Sequence, residues 1–129
     1  MIYYLTQVMD LDATLNSHPI IQTVSHPDQI TEIFDAISYS KGASVLRMLE
    51  DFIGPEEFRL GVSKFLKKFK YANAVTNDLW TVLEGVSSQG LDVTKIMDTW
   101  TRQMGYPVIQ VGRKPPKVCL ACVLYLNLY

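Results

Sequence analysis

Hydrophobic positions along the chain recur mainly with the period of an α-helix, in segments that end at clear stop signals. Apolar residues three and four positions apart share one helix face, and such a stripe is buried when helices pack together. This pattern predicts helical segments over residues 2–11, 29–34, 35–53, 55–69, 76–86 and 92–104. The repeated stripes therefore predict an all-α domain of about five helices.

Capping residues and glycines mark the ends of these segments. Either Asp35 or Ser38 is a candidate cap for the third segment, and either Asp92 or Thr94 for the last. Gly54 and Gly105 follow helical segments, where glycine often adopts the left-handed conformation that ends a helix. Between the helices, residues 20–24 have the pattern of an extended stretch. Residues 108–111 alternate as a short strand does.

The composition changes after residue 111. Residues 112–117 form a proline-containing, linker-like stretch, and residues 118–129 are almost wholly apolar without a clear period. This apolar run is shorter than the roughly 20 residues that a membrane-spanning helix needs. We predict two parts, a helical domain over residues 1–111 and a tail over residues 112–129 that does not belong to it.

Composition and charge narrow the classes of function. The chain has 129 residues, of which 48% are hydrophobic, which is enough for one domain with a packed core. Its net charge of -1 argues against a nucleic-acid partner, because proteins that bind nucleic acids carry a basic excess on one face. No apolar run has the length of a membrane span. We therefore expect no nucleic-acid partner and no membrane segment in this chain.

The histidines and cysteines lack the spacing of a zinc site. A zinc-peptidase helix needs two histidines one turn apart with a glutamate between them, so that both rings face one metal. Here His18 and His26 each lie directly before a proline, outside helix interiors. Cys119 and Cys122 have the spacing of half a zinc site, but no second pair of ligands accompanies them. We predict no metal ligands in the chain and regard the cysteines as incidental.

The segment over residues 34–49 carries the most specific pattern. Gly42 lies inside an otherwise good helix, where glycine costs about 1 kcal/mol relative to alanine. We therefore expect the backbone of another element to approach Gly42 closely. On the pattern of residues alone, Tyr39 has the position of an ordinary, half-buried core tyrosine.

The same segment resembles the zinc aminopeptidases of the aminopeptidase N and glutamyl aminopeptidase group, which are gluzincin metallopeptidases. Their catalytic domains carry a Tyr-x-Lys-Gly-Ala/Ser stretch, which residues 39–43 match, and Leu-Arg-Met-Leu follows at residues 46–49. The likeness continues through Asn-Asp-Leu-Trp at residues 77–80 and Met-Asp-Thr-Trp-Thr-Arg-Gln-Met-Gly-Tyr-Pro-Val at residues 97–108. It covers residues 10–111 and looks closest to the glutamyl aminopeptidase branch.

This resemblance implies the helical second lobe of a thermolysin-like catalytic domain. The enzymes it points to use zinc to remove single residues from the N-termini of peptide substrates. It also implies that Tyr39 stabilises the transition state by donating a hydrogen bond to the oxyanion of the attacked carbonyl, a contribution of about 3 to 4 kcal/mol. Members of the family are commonly plasma-membrane ectoenzymes, but the sequence predicts no location for this chain.

The sequence departs from the family because it contains neither the Gly-Ala-Met-Glu-Asn stretch nor the His-Glu-x-x-His helix. We expect a truncated product, a splice form or a gene fragment that needs the zinc-bearing lobe as its partner and hydrolyses no peptide alone. Two alternatives stay open. A non-catalytic helical interaction module predicts a large exposed apolar patch, and a fragment without a biological role predicts poor solubility.

Overall fold

A computed structural model describes the backbone of residues 2–112 and 121–125 and the side chains of residues 7–108. These residues form α-helices, one π-helical turn and an antiparallel pair of strands, and the predominance of helix confirms the predicted all-α class. The helices are α1 (Ile2–Asp12), α2 (Gln29–Glu32), the π-helix (Ile37–Lys41), α3 (Gly42–Ile53), α4 (Pro55–Lys68), α5 (Thr76–Glu84) and α6 (Val93–Thr101). No helix within the described ranges combines the length and the hydrophobicity needed to cross a bilayer.

The core lies between α3, α5 and α6. Each of these helices has an apolar stripe at the spacing of successive turns, and the three stripes face one another. The buried residues of this cluster are Val45, Leu49, Ile53, Trp80, Leu83, Val93 and Met97. Helix α4 packs on α3 and α5, while α1 packs on the π-helix. The apolar stripes predicted for α3, α5 and α6 therefore supply the buried core, whereas the stripe predicted for residues 29–34 is not buried.

Most helix boundaries follow the predicted signals, but α2, α5 and α6 end two or three residues early and the segment predicted over residues 35–53 begins as the π-helix. Gly54 separates α3 from α4 with φ of 107°, and Asp92 caps α6 by accepting a hydrogen bond of 2.8 Å from the backbone N–H of Lys95. Helix α6 ends before the predicted residue 104, and Gly105 adopts φ of 77° in the turn that follows. Helix α2 is shorter than predicted because it buries none of its residues, and one turn without packing has little to hold it.

Two strands lie at the end of the described chain. The predicted strand is confirmed as β1 (Val108–Gly112), and it pairs antiparallel with β2 (Ala121–Tyr125). Residues 121–125 lie in the apolar run that has no clear period, so the sequence predicts no strand there. The pairing of β2 with β1 is a finding of the structure. The boundary at residue 111 stays a prediction. Residues 20–24 form no strand, and the backbone bends at residues 20 and 21. The Ile21 N–H donates to the Thr101 carbonyl at 2.8 Å.

The close approach of two elements occurs at Gly61 and not at Gly42. A β-carbon built at Gly42 meets no heavy atom of the described structure within 4 Å, so the predicted backbone approach there is wrong. A β-carbon at Gly61 of α4 would instead lie 2.5 Å from Cδ2 of Leu83 in α5. Glycine at position 61 therefore sets the distance between these two helices.

Candidate functional site

Tyr39 lies on the π-helix and faces outward. The turn is wide because the Gly42 N–H donates to the carbonyl of Ile37, five residues earlier. Single π-helical turns inside α-helices are frequent at functional sites. The side chain of Tyr39 is 61% exposed, so the expectation of a half-buried core tyrosine is wrong. A phenol in this position is accessible to a substrate or to another protein surface.

Phe34 lies beside Tyr39. The two ring centroids are 6.0 Å apart with planes tilted by 41°, which is within the range of favourable edge contacts between aromatic rings. Phe34 is itself 63% exposed. The aromatic pair Phe34–Tyr39 therefore projects from the surface at the start of the π-helix.

Asp35 holds the N-terminal end of the π-helix. Its Oδ1 accepts from the backbone N–H of Ser38 at 2.9 Å, which resolves the open choice of cap in favour of Asp35. Its Oδ2 lies 2.7 Å from Nε2 of His18, whose Nδ1 lies 2.8 Å from the carbonyl oxygen of Pro19. His18 thus connects the loop after α1 to the start of the π-helix.

The pKa values of this pair move apart. Burial lowers the pKa of His18, but the hydrogen bonds to the Pro19 carbonyl and the Asp35 carboxylate outweigh it, so the pKa lies above its ordinary value of 6.5. Burial acts to raise the pKa of Asp35, but the Ser38 N–H and His18 outweigh this effect and bring it below 3.8. Both shifts favour the charged pair, since each charged form gains hydrogen bonds that the neutral form lacks.

Lys41 holds the C-terminal end of the π-helix from inside the protein. Its Nζ lies 2.9 Å from Oδ2 of Asp12 and donates to the carbonyls of Gly105 at 3.0 Å and Gln103 at 3.3 Å. Oδ1 of Asp12 accepts from Ser17 Oγ at 2.5 Å and from the Gly105 N–H at 2.9 Å. This buried ion pair joins the end of α1, the π-helix and the turn after α6.

The role of Lys41 and Asp12 was not predicted, although the sequence contains one signal for it. Lys41 stands in a row of positions four apart, in which every other member is buried and apolar: Ile37, Val45, Leu49 and Ile53. A charged residue within such a stripe requires a buried partner of opposite charge. Sequence reasoning could have found the lysine in this way, but spacing carries no information on which acid it meets.

A cavity of about 250 Å³ lies over this ion pair. Its wall is mostly apolar and includes Val8, Met48, Trp100 and Tyr106 beside Asp12 and Lys41. Tyr39 does not line it. The polar atoms of Asp12 and Lys41 that border this cavity are already matched to donors and acceptors of the chain.

The residues that the structure describes do not fit a zinc ion. Among residues 7–108, no three His, Cys, Asp or Glu side chains come together as a metal-binding group. His18 is engaged by Asp35, and Nδ1 of His26 lies 3.2 Å from Oδ2 of Asp28. The backbone of Cys122 lies in β2, whereas Cys119 is outside the described residues. The predicted absence of metal ligands stays a prediction for the chain as a whole.

Comparison with known protein families identifies the class to which this chain belongs. The model of the peptidase family M1 domain matches residues 1–100. This chain belongs to peptidase family M1, a family of zinc metallopeptidases, and the predicted resemblance is confirmed.

Curated relatives share half or more of the aligned residues. The chain is 57% identical over 104 residues to glutamyl aminopeptidase of Sus scrofa, and 56% identical over 105 residues to that of Homo sapiens, each match covering 81% of this chain. It is 50% identical over 109 residues to aminopeptidase M1-C of Oryza sativa subsp. japonica, covering 84% of this chain. The matches span only 11% of the two glutamyl aminopeptidases and 12% of the rice protein.

Proposed function

We propose that this chain supplies the oxyanion-stabilising tyrosine of a zinc aminopeptidase, as a helical part of the catalytic domain. The single observation that carries the proposal is the exposure of Tyr39 on a π-helix, inside the Tyr-x-Lys-Gly stretch of a family M1 chain. A tyrosine serving only the core would bury its ring. The π-helix is held at its start by Asp35 and at its end by Lys41, so its exposed phenol is instead suited to donate a hydrogen bond to a group outside this chain.

The chemistry asked of Tyr39 is a hydrogen bond made chiefly in the transition state. Hydrolysis of a peptide bond passes through a tetrahedral intermediate, in which the former carbonyl oxygen carries negative charge. A neutral phenol can donate its O–H to that oxygen, and a donor already fixed in place needs little reorganisation when the charge develops. Removal of one such donor typically lowers kcat by about 10²- to 10³-fold.

Metal binding and activation of water are not assigned to the described residues, since no cluster of metal ligands occurs among them. We expect the purified chain to release no product from an aminoacyl anilide when zinc is added. Turnover that a chelator abolishes would contradict this part of the proposal.

The decisive experiment transplants this chain into a complete relative. Residues 10–107 replace the corresponding segment of the Sus scrofa glutamyl aminopeptidase, with which the chain shares 57% identity. Hydrolysis of an aminoacyl anilide by this chimera is then compared with that of its Tyr39→Phe variant, which removes only the hydroxyl group. We expect kcat to fall by about 10²- to 10³-fold with a much smaller change in KM.

Tyr71→Phe is the matched control. Tyr71 is 96% exposed and lies between α4 and α5, so its hydroxyl can be removed without affecting the π-helix. The control variant should keep the kcat of the chimera. An active chimera whose kcat is unchanged by Tyr39→Phe would remove Tyr39 from the mechanism.

A second candidate function, a non-catalytic interaction module, is favoured by the exposure of Phe34 beside Tyr39. Its partner would be the zinc-bearing lobe of an M1 aminopeptidase, expressed separately. This candidate predicts that the isolated chain binds that lobe and that Phe34→Asp abolishes binding, whereas Phe52→Asp on exposed α3 surface does not. A chain that binds no such lobe would leave the catalytic proposal as the only one of the two.

A further inference from the structure

The chemical surroundings of Lys41 account for its burial. Lys41 is only 5% exposed, and its ammonium group has three N–H donors. The three acceptors around Nζ are Oδ2 of Asp12 and the carbonyl oxygens of Gly105 and Gln103. Each donor therefore has one acceptor, and the charge is neutralised by a carboxylate. A buried lysine matched in this way has one well-defined position.

Asp12 is held just as closely. Its Oδ1 accepts from the hydroxyl of Ser17 and from the backbone N–H of Gly105, while Oδ2 meets the ammonium of Lys41. The groups come from the loop after α1 and from the turn after α6, which are distant in sequence. Lys41 is thus attached to two elements that lie outside its own helix.

Because the ion pair with Asp12 fixes Lys41, the geometry of the helix also determines the direction in which Tyr39 points. Residues two positions apart on a helix do not share a face, so an inward Lys41 requires an outward Tyr39. Ile37, two positions before Tyr39, is 1% exposed and faces inward like Lys41. Turning the tyrosine toward the interior would expose Ile37 and remove the ammonium from its acceptors.

The π-helical turn gives the ion pair of Lys41 and Asp12 a second effect on the orientation of Tyr39. The π-helical bond from the Gly42 N–H to the Ile37 carbonyl spans one residue more than an α-helical bond. Relaxation of this turn to α-helical geometry would rotate Lys41 relative to α3, whose buried face is fixed by Val45 and Leu49. The fixed ammonium and the packed face of α3 together oppose that relaxation.

We propose that Lys41, paired with Asp12, is a positioning residue that fixes the direction in which the π-helix presents the phenol of Tyr39. Its relevance to catalysis rests on the proposed function above. Lys41 touches no substrate in this role, and it acts only through the orientation of the helix that carries Tyr39.

Fluorine NMR of the full chain tests the orientation directly and needs no enzymatic activity. The seven tyrosines are replaced by 3-fluorotyrosine, and Tyr39→Phe identifies the resonance of position 39. A soluble paramagnetic chelate then reports how exposed each ring is. In Lys41→Met, we expect the Tyr39 resonance to shift and its broadening by the chelate to decrease. The resonance of the exposed Tyr71 should stay in place.

Two further variants keep the test interpretable. Lys64→Met makes the same change at an exposed position of α4 and should leave the Tyr39 resonance unchanged. If Lys41→Met alone does not fold, because it leaves Asp12 charged and unpaired, the double variant Asp12→Asn/Lys41→Met removes both charges at nearly constant volume. We expect the double variant to retain its helical circular dichroism and to show the same shift at Tyr39.

Two results would overturn the inference. One is a folded Lys41 variant, single or double, in which the Tyr39 resonance and its broadening match those of the unchanged chain. The other is a double variant that fails to fold, which would assign the pair to fold stability alone.

Kinetics in the chimera separate this inference from the proposed function. Misplacement of a catalytic group by about 1 Å can cost about 100-fold in rate, so we expect Lys41→Met to lower kcat more than KM. A loss of kcat in Tyr39→Phe without one in the Lys41 variant contradicts the positioning role only. An unchanged kcat in Tyr39→Phe contradicts the proposed function, while the NMR result still decides the orientation.

Discussion

Gly61 of α4 lies directly against Leu83 of α5, with no room between them for a side chain. A β-carbon at position 61 would be 2.5 Å from Cδ2 of Leu83 and 3.0 Å from Cγ2 of Val86. Leu83 is completely buried in the core, so its methyl groups cannot move aside without disturbing neighbouring residues. The absence of a side chain at Gly61 therefore allows α4 to cover the core.

Inserting a carbon atom into a packed interior usually costs about 1–3 kcal/mol. Alanine gains about 0.5–1 kcal/mol over glycine inside a helix, so we expect Gly61→Ala to destabilise the chain by a net amount of about 0.5–2 kcal/mol. Urea denaturation followed by circular dichroism measures the difference. A variant as stable as the unchanged chain would mean that Leu83 can repack freely.

Gly42→Ala should have the opposite sign. Gly42 has the helical angles φ of -56° and ψ of -48°, and a β-carbon there meets nothing within 4 Å among the described residues. Alanine reduces the conformational freedom of the unfolded chain and is accommodated without strain, so we expect a gain of about 0.4–1 kcal/mol. The same urea titration checks this value, and the pair of variants forms one matched comparison. A loss of stability at position 42 would indicate a contact outside the described residues.

The buried ion pair gives a prediction for double-mutant analysis. Removal of one partner leaves an uncompensated buried charge, so Lys41→Met should cost about 3–5 kcal/mol. The double variant Asp12→Asn/Lys41→Met leaves no buried charge and should recover most of that loss. The measurement is the free energy of unfolding of the two single variants and the double variant.

The exposed ion pair of Arg59 and Glu56 is the control for this cycle. Both side chains are more than three-quarters exposed, and surface pairs contribute about 0–1 kcal/mol. The same neutral substitutions there should therefore change stability little. Equal coupling energies in the two cycles would show that burial does not strengthen the pair of Lys41 and Asp12.

The core was predictable from the sequence because its contacts follow local spacing. Val45 and Leu49 are one turn apart on α3, and so are Val93 and Met97 on α6, which places each pair on a single face. Two helix boundaries were predictable too, because they depend on the chemistry of a single residue. The carboxylate of Asp92 accepts a hydrogen bond from the backbone N–H of Lys95 at the start of α6, and Gly54 tolerates a φ of 107° at the end of α3. These features depend on residues close together in the chain.

The site was less predictable because it depends on tertiary contacts. The π-helix leaves no trace in the hydrophobic period, because the inward residues Ile37, Lys41 and Val45 are spaced four apart in the sequence, as they would be in an uninterrupted α-helix. The pattern alone placed Tyr39 in the core, and only the resemblance to a family pointed to an accessible phenol. The prediction that another backbone approaches Gly42 failed for a related reason, because tertiary packing brings no described heavy atom within 4 Å of a β-carbon at that position.

The pair of His18 and Asp35 predicts how stability changes with pH. The raised pKa of His18 means that the folded chain binds this proton more tightly than the unfolded chain. The stability from His18 is therefore complete below pH 6.5 and is lost as the pH rises through the raised pKa of the folded state. The charge of Lys41 acts against this shift but does not reverse it.

Asp35 sets the acidic limit of the same effect. Because its pKa is lowered on folding, its contribution is present above pH 3.8 and is lost as the pH falls through the lowered value. The pair should therefore stabilise the start of the π-helix most between pH 3.8 and pH 6.5.

The measurement is the free energy of unfolding from urea titrations at several pH values, compared between the unchanged chain and His18→Gln. We expect the stability advantage of the unchanged chain to shrink as the pH rises above 6.5. His26→Gln is the matched control, since it removes the same chemical group from a side chain that is 67% exposed. An advantage that grows with rising pH, or one that His26→Gln removes equally, would show that the imidazolium of His18 does not hold Asp35 at the start of the π-helix.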